Sequence, residues 1–181
     1  MARVFINPGH APNGQPDPGA VNAATGLREC DVAAAVGTLV TQYLQAAGCE
    51  VRVLQNDSLS LVVGTANQWC ADLFVSIHCN SAANHAAQGT ETWYCQGSER
   101  GKALADCIQR QLIFSLPVID RGLKIAAPGI NGLYVLTNTN MPACLAELAF
   151  ISNTADEQLL AARQDELARA VARGITDYLN Q

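Results

Sequence analysis

The strongest constraint on the fold is a short, nearly uninterrupted apolar run at Leu73–Ile77. Such a run is typical of a strand that is buried on both faces, as at the centre of a parallel sheet covered by helices. Strand-like and helix-like patterns alternate before and after it, without a repeat, linker or low-complexity stretch. The sequence therefore predicts an α/β fold, a single domain over residues 1–181 with a largely parallel central sheet and helices on both faces.

The spacing of apolar residues gives the order of the elements. Continuous or alternating apolar residues predict strands at Val4–Ile6, Glu50–Leu54, Leu73–Ile77, Gly89–Tyr94, Gly122–Ala126, Leu133–Leu136 and Ala143–Glu147. Helical spacing predicts helices that include Val32–Leu44, Leu59–Trp69, Leu104–Leu112 and, as one final helix, Leu160–Tyr178. The run Asn56-Asp57-Ser58 offers N-caps for the second of these helices, and Ser98 is suited to cap the third.

The charge balance limits the partners that this chain can bind. Its formal net charge is −5, from 11 basic and 16 acidic residues. Nucleic-acid binding requires a basic face that neutralises phosphates, and no basic cluster is visible, so we expect no nucleic-acid partner. A polymer whose recognised groups are sugars and amides is compatible with this composition. No apolar run is long enough to predict a transmembrane segment.

The seven cysteines are widely spaced, odd in number and without a C-x-x-C pair. They are Cys30, Cys49, Cys70, Cys79, Cys95, Cys107 and Cys144. Most lie inside apolar patterns, where a free cysteine behaves as a small hydrophobic residue. We therefore expect reduced thiols rather than disulfides, which suits synthesis in a reducing compartment.

Two of the three histidines follow predicted strands. His10 comes after the first strand and His78 directly after the Leu73–Ile77 run, whereas His85 lies in a polar loop and is expected to be exposed. Ligands of open α/β sheets bind beyond the carboxyl ends of the strands, where both His10 and His78 are expected. Either histidine alone could be a structural, hydrogen-bonded side chain, but two such positions favour a shared site.

Two acidic residues occupy positions where apolar side chains are expected. Glu29 falls on the inward face of the first helix, and Glu147 ends a predicted strand within a long apolar run. A buried carboxylate is costly unless it is partnered. The helix dipole accounts for an acid such as Glu29 in the first turn of a helix, but not for its inward direction. Glu147 is either paired with another group or catalytic. Two histidines and one carboxylate form the ligand set of a catalytic zinc, and a further carboxylate can take a proton from water.

Five ordered motifs carry a resemblance to a known family. They are Asn7–His10 (NPGH), Asp17–Ala20 (DPGA), Gly26–Glu29 (GLRE), Ala71–Asn80 (ADLFVSIHCN) and Met141–Asn153 (MPACLAELAFISN). Together they resemble the zinc-dependent N-acetylmuramoyl-L-alanine amidases of bacterial cell walls, over essentially the whole chain. Val62, Cys79 and Ala149 depart from residues that are usual in the family, which affects the fine shape of the expected groove.

The resemblance implies a mixed sheet of about six strands and a specific reaction. It implies one Zn²⁺ bound by His10, Glu29 and His78, with Glu147 as the catalytic glutamate. The reaction is hydrolysis of the amide between the lactyl group of N-acetylmuramic acid and L-alanine of peptidoglycan, by zinc-activated water with Glu147 as general base. Asn80 is a candidate to hydrogen-bond a substrate carbonyl, and Arg121 to meet a stem-peptide carboxylate.

Two other functions are compatible with parts of this pattern. A zinc carboxypeptidase or deacetylase uses similar chemistry on another bond, and a non-catalytic peptidoglycan-binding module would retain the fold alone. No separate wall-binding domain is expected within the 181 residues. No secretory signal is found, so we expect a protein that is cytoplasmic as synthesised and reaches the wall after release, or a trimmed domain of an exported protein. A phage endolysin and a host autolysin both remain open.

Overall fold

The computed structural model describes residues 1–129 and 133–181. Within these ranges the strands are β1 (Arg3–Pro8), β2 (Glu50–Val53), β3 (Leu73–Asn80), β4 (Thr90–Cys95), β5 (Asp120–Ala126) and β6 (Ala143–Phe150). The α-helices are α1 (Glu29–Ala46), α2 (Leu59–Gln68), α3 (Glu99–Ser115), α4 (Tyr134–Thr137), α5 (Thr154–Ala162) and α6 (Gln164–Leu179). A 3₁₀ turn, Pro12–Gly14, lies in the long loop before α1. The side chains of Ser58 and Ser98 cap α2 and α3, as predicted.

The six strands form one sheet in the order β2-β1-β3-β6-β4-β5. The pair β4–β6 is antiparallel, and the other neighbouring strands run parallel. The predicted mixed, mostly parallel sheet is therefore confirmed, and the run Leu73–Ile77 is buried inside it. Because β4 runs opposite to β6, the first residues of β4 lie at the edge of the sheet where β1, β3 and β6 end.

Helices cover the two faces of the sheet unequally. Val75 and Ile77 point into a large apolar core formed with α1, α3 and α6. Phe74, on the opposite face, belongs to a smaller core with side chains of α2 and α4, where its ring stacks on Phe5 at a centroid distance of 5.6 Å. Side chains alternate between the faces of a strand, so Ser76 and His78 continue on the face of Phe74. That face carries the polar residues of the site.

Two predicted elements were wrong. The segment Leu133–Leu136 was expected to be a strand, but residues 134–137 form α4, with Leu133 at its N-cap. Periodicity cannot distinguish a strand from a helical turn in so short an apolar run. The expected final helix is two helices, because Arg163 has a non-helical ψ of 33° between α5 and α6. Leu160 and Leu167 are seven residues apart, a spacing that continues the helical stripe across the break.

Strands β3 and β6 extend further than predicted. His78 and Glu147 were expected at strand ends, but both lie inside their strands, which continue to Asn80 and Phe150. The two residues are Cα partners in the parallel pair β3–β6, and an irregularity follows between His78 and Asn80. The polar residues therefore do not terminate the strands, because the neighbouring strand supplies backbone hydrogen bonds beyond them.

The cysteines and the helix lengths complete the description of the fold. All seven cysteines are free, four of them buried and Cys70 exposed. No helix in the described part of the chain is long and apolar enough to cross a membrane.

Candidate functional site

The backbone brings three predicted ligands from separate elements to one place. His10 follows β1, in a loop that the Gly9 amide attaches to β3 by donating to the Ile77 carbonyl at 2.9 Å. Glu29 is the first residue of α1 and is buried, as its inward position predicted. His78 lies near the end of β3. The site therefore forms where the first and third strands approach the start of the first helix.

The side chains of His10, Glu29 and His78 converge closely enough to bind one metal ion. Glu29 Oε1 lies 3.0 Å from His10 Nε2 and 2.9 Å from His78 Nδ1. One ligand atom from each of the three residues lies within 4.8 Å of the others. Two imidazole nitrogens and a carboxylate oxygen are a donor set that suits zinc and leaves a coordination position free.

Outer hydrogen bonds orient the two imidazoles. His10 Nδ1 lies 2.7 Å from Asp17 Oδ2, and His78 Nε2 lies 3.1 Å from Ser76 Oγ. Ser76 in turn donates to Asn7 Oδ1 at 2.8 Å, so its oxygen is available to accept from His78. In this cluster His10 Nε2 and His78 Nδ1 donate to Glu29, and the contacts with Asp17 and Ser76 would leave these two nitrogens unprotonated once a cation replaced those protons. Such orienting partners are characteristic of metal-binding histidines.

Two glycines make room for the cluster. A Cβ on Gly9 would lie 2.3 Å from the His78 ring, and one on Gly19 would lie 2.5 Å from His10 and 2.6 Å from Glu29. Gly19 also has a φ of +69°, which side chains rarely tolerate. His10 itself has a φ of +66°, an uncommon conformation for a residue other than glycine. The loop after β1 is thus shaped around the ligand atoms.

The cluster is electrostatically suited to hold a cation. Burial opposes a charge on His10, but hydrogen bonds with Glu29 and Asp17 outweigh it and raise the pKa of His10 to about 9. Burial alone would raise the pKa of Glu29, but hydrogen bonds with His10 and His78 hold it well below its ordinary value. The Glu29 carboxylate also accepts the Ala20 amide at 2.9 Å and the Cys79 amide at 3.0 Å. The ionised carboxylate is therefore strongly stabilised in this position.

Glu147 lies beside this cluster in a different environment. Its Oε2 atom is buried and has no hydrogen-bond partner among the residues that the structure describes. Burial, with smaller repulsion from Glu29 and Glu91, raises the pKa of Glu147 to about 7. A carboxyl group whose pKa lies near neutrality can both accept and return a proton. Glu147 is thus chemically distinct from the ligand Glu29, although both are partly or wholly buried acids.

The two candidate substrate residues meet at an acid that sequence reasoning missed. Glu91 Oε1 accepts from Asn80 Nδ2 at 3.0 Å, and Glu91 Oε2 accepts from Arg121 Nε at 2.7 Å. Glu91 is buried and is the Cα partner of Glu147 across β4–β6. The sequence did contain an indication of Glu91, because it is an acidic residue on the same strand face as Trp93. The position of Glu147 within an apolar run is a comparable indication. His85 is exposed and outside the site, as predicted.

Sequence reasoning also missed the residues that orient the histidines. The sequence places Asp17 in a motif but does not indicate that it is the partner of His10. It places Ser76 in a strand without indicating a role for its side chain. Asp17 lies in an irregular loop, where no periodicity indicates the direction of a side chain. Ser76 precedes His78 by two residues on a strand, and this alternation could have placed both on one face.

Comparison with known proteins assigns this chain and its fold to a class of cell-wall enzymes. A family model described as N-acetylmuramoyl-L-alanine amidase matches residues 4–177. The structure of the N-acetylmuramoyl-L-alanine amidase AmiC2 of Nostoc punctiforme superposes with a TM-score of 0.89 at 32% identity, covering 99% of this chain and 98% of that one. The chain belongs to the N-acetylmuramoyl-L-alanine amidase family, and it is an amidase by class.

Curated relatives include both host and phage proteins. The chain is 37% identical over 183 residues to the N-acetylmuramoyl-L-alanine amidase LytC of Bacillus subtilis, covering 97% of this chain and 35% of LytC. It is 35% identical over 192 residues to the endolysin of Bacillus phage SPP1, covering 98% of this chain and 66% of the endolysin. The chain therefore spans about a third of the length of LytC and about two thirds of the endolysin.

Proposed function

We propose that this chain hydrolyses the amide bond between the lactyl group of N-acetylmuramic acid and L-alanine in peptidoglycan. The observation that carries the proposal is the convergence of His10, Glu29 and His78 next to Glu147, in a chain that belongs to the amidase family. Residues 1–181 are the catalytic domain in this proposal. The partner is peptidoglycan rather than nucleic acid, in keeping with the net charge of −5.

The donor set supports one zinc ion held by His10, Glu29 and His78. A bound zinc ion supplies Lewis acidity to the scissile amide and to the water that attacks it. Asp17 and Ser76 would accept from the outer nitrogens of the two imidazoles, so that His10 Nε2 and His78 Nδ1 could bind the metal. Because Glu29 is buried and fixed by two backbone amides, its carboxylate needs little reorganisation to act as a ligand.

Glu147 is the general base in this proposal. It accepts the proton of the attacking water and returns it to the leaving amine of L-alanine, so the carboxyl group ends each cycle as it began. The raised pKa of Glu147 suits both transfers, because neither the acid nor the carboxylate is strongly favoured near neutral pH. Its Oε2 atom has no competing partner in the described residues, which leaves it free to bind the water.

Arg121 on β5 and the side chain of Asn80, which extends from the end of β3 to Glu91 on β4, are candidates to bind the peptide part of the substrate. The Asn80 amide uses one of its two N–H donors on Glu91, so the second can donate to a substrate carbonyl. Arg121 is the candidate for a stem-peptide carboxylate. A cavity of about 220 Å³ opens on the other side of the ligands, lined in part by Asp17, Asn56 and Asp57. The polymer would therefore cross the site along the carboxyl ends of the central strands.

The decisive experiment digests purified peptidoglycan with the protein and identifies the products by mass spectrometry, alongside elemental analysis. We expect about one zinc per chain and products with a free L-alanine amine and intact glycan. Release of an amino acid from the peptide end, or of acetate, would instead identify a carboxypeptidase or a deacetylase. Binding without turnover would identify a non-catalytic module. A His78→Ala variant that retains stoichiometric zinc would refute the ligand set.

The proposed biological setting is the bacterial cell wall. Relatives include the endolysin of Bacillus phage SPP1 and the N-acetylmuramoyl-L-alanine amidase LytC of Bacillus subtilis, and a phage endolysin or a bacterial autolysin both fit a protein that acts on the cell wall. We propose that the chain is synthesised in the cytoplasm and reaches the wall after release, or is a trimmed domain of an exported protein.

A further inference from the structure

Glu91 is a buried acid that takes no direct part in the proposed reaction. It is 4% exposed, and each of its carboxylate oxygens is engaged. Oε1 accepts from Asn80 Nδ2 at 3.0 Å and from Trp93 Nε1 at 3.3 Å, whereas Oε2 accepts from Arg121 Nε at 2.7 Å. A buried charge persists only where partners compensate its loss of water. The carboxylate therefore acts as a centre to which Asn80, Trp93 and Arg121 are all attached.

The position of Glu91 connects these partners to the reacting groups. Glu91 and Glu147 are Cα partners across β4–β6, and Glu147 and His78 are Cα partners across β3–β6. The three side chains therefore form a row on one face of the sheet, with adjacent members about 5 Å apart at the backbone. Arg121, on the outer strand β5, is one strand further along, at the peripheral end of the row.

Arg121 is held on two sides but keeps donors unused. Its guanidinium lies 4.8 Å from the centre of the Phe150 ring, and its Nε–H is bonded to Glu91. The side chain is 35% exposed. Among the residues that the structure describes, no hydrogen bond engages its Nη atoms. A guanidinium has five N–H donors, so four remain for a ligand, in the planar arrangement that carboxylates accept.

We propose that Glu91 is a positioning residue that fixes the guanidinium of Arg121 as a binding site for a carboxylate of the stem peptide. The inference rests on the proposed function, because it takes the peptide part of the substrate to lie on the β4–β5 side. A prearranged guanidinium binds a carboxylate without the cost of ordering a long side chain. Loss of Glu91 should therefore weaken binding of substrates that carry this carboxylate, and leave the hydrolytic step nearly unchanged.

The test compares two soluble muramoyl peptides, one with free peptide carboxylates and the same compound with those carboxylates amidated. In the wild type, KM for the free form should be lower by about tenfold or more, the value of one hydrogen-bonded charge pair. Arg121→Gln should bring the ratio of the two KM values, amidated over free, close to one. Glu91→Gln should reduce this ratio severalfold, with kcat on both compounds within about threefold of wild type. Glu91→Gln added to Arg121→Gln should have no further effect on the ratio, because Glu91 acts through Arg121.

Arg110→Gln is the matched control, since Arg110 is an exposed arginine paired with Asp106 on α3 and lies outside the site. It should leave both KM values unchanged. If Glu91→Gln does not fold, Arg121→Lys decides, because it keeps the charge but removes the planar donors and should also reduce the ratio. An unchanged ratio in the variants, an equal loss on both compounds, or a wild type that does not distinguish them would overturn the inference. A zinc-loaded wild type that hydrolyses neither compound would instead refute the proposed function.

Discussion

Replacing Glu147 by glutamine should separate proton transfer from metal binding and folding. Glutamine keeps the shape of the side chain and its capacity for hydrogen bonds, but it cannot accept the proton of water. Loss of a general base typically slows a reaction by about two to four orders of magnitude, and we expect kcat to fall by that much. Zinc content should stay near one per chain, because the converging ligand atoms belong to His10, Glu29 and His78.

The same substitution should not lower stability at alkaline pH, and the structure gives the reason. The pKa of Glu147 is raised to about 7 from 4.5, and each pKa unit corresponds to about 1.4 kcal/mol. The folded state thus loses roughly 3 kcal/mol by ionising this group. The loss is absent below the unfolded pKa of 4.5, where both states are protonated, and it is complete above pH 7. A neutral glutamine avoids it, but its unpaired amide costs about 1–3 kcal/mol.

Denaturant titrations of the chelator-treated proteins at pH 4 and pH 8 measure this balance. The stability of Glu147→Gln relative to wild type should rise by roughly 3 kcal/mol between the two pH values. Dye release from labelled peptidoglycan and zinc analysis complete the comparison. Glu157→Gln is a matched control, a buried acid bonded to Thr25 outside the site, and should keep wild-type activity. Wild-type turnover by a folded, zinc-loaded Glu147→Gln would refute the general-base role, and loss of zinc would make Glu147 a ligand.

Three other predictions follow from the site and the thiols. Asp17→Asn should weaken zinc binding by about 10- to 100-fold in competition with a chelating dye, because Asp17 orients His10, and unchanged affinity would contradict that role. The rate should fall as pH decreases through the pKa of Glu147, and a pH profile of kcat without such an acid limb would contradict the general-base role. Alkylation of the unfolded protein without reductant should modify seven thiols, and mass spectrometry that finds four or six of them protected would show disulfides.

The candidate ligand Glu29 and the candidate base Glu147 could be singled out from the sequence because each conflicts with its local pattern. Glu29 lies on an apolar helix face, and Glu147 interrupts an apolar strand, so both positions carry a cost that only a partner or a function offsets. The histidines could be placed at one edge because parallel strands end together. The fold class was equally accessible, since a buried run such as Leu73–Ile77 requires helices on both sides.

The two wrong elements have a common physical origin. A helical turn of four residues and a short strand both bury two or three apolar side chains, so the sequence at Leu133–Leu136 does not distinguish them. Likewise, the break at Arg163 is a single backbone angle that leaves the apolar stripe of α5 and α6 in phase. Local patterns report which side chains are buried, and they do not report the backbone path between them.

Glu91 was not predicted because its role depends on the direction of a strand. In a fully parallel sheet, the start of β4 would lie at the edge opposite His78 and Glu147. The antiparallel pairing of β4 with β6 brings the start of β4 to their edge instead. Nothing in the apolar pattern of β4 reports this reversal, because buried strands of either direction have similar composition. The candidates Asn80 and Arg121 were therefore identified without the acid that holds both.

The order of the four side chains across the site follows from the order and register of their strands rather than from their separation in the sequence. His78, Glu147, Glu91 and Arg121 lie on the neighbouring strands β3, β6, β4 and β5, respectively. Three strand spacings correspond to roughly 14 Å, about the span of a short peptide. A candidate metal ligand, the proposed base, the proposed positioning acid and a guanidinium thus follow one another along this distance. A one-residue shift of β4 against β6 would turn Glu91 to the other face and release Arg121, while leaving the metal ligands in place. Substrate binding on this side can therefore vary independently of the hydrolytic centre.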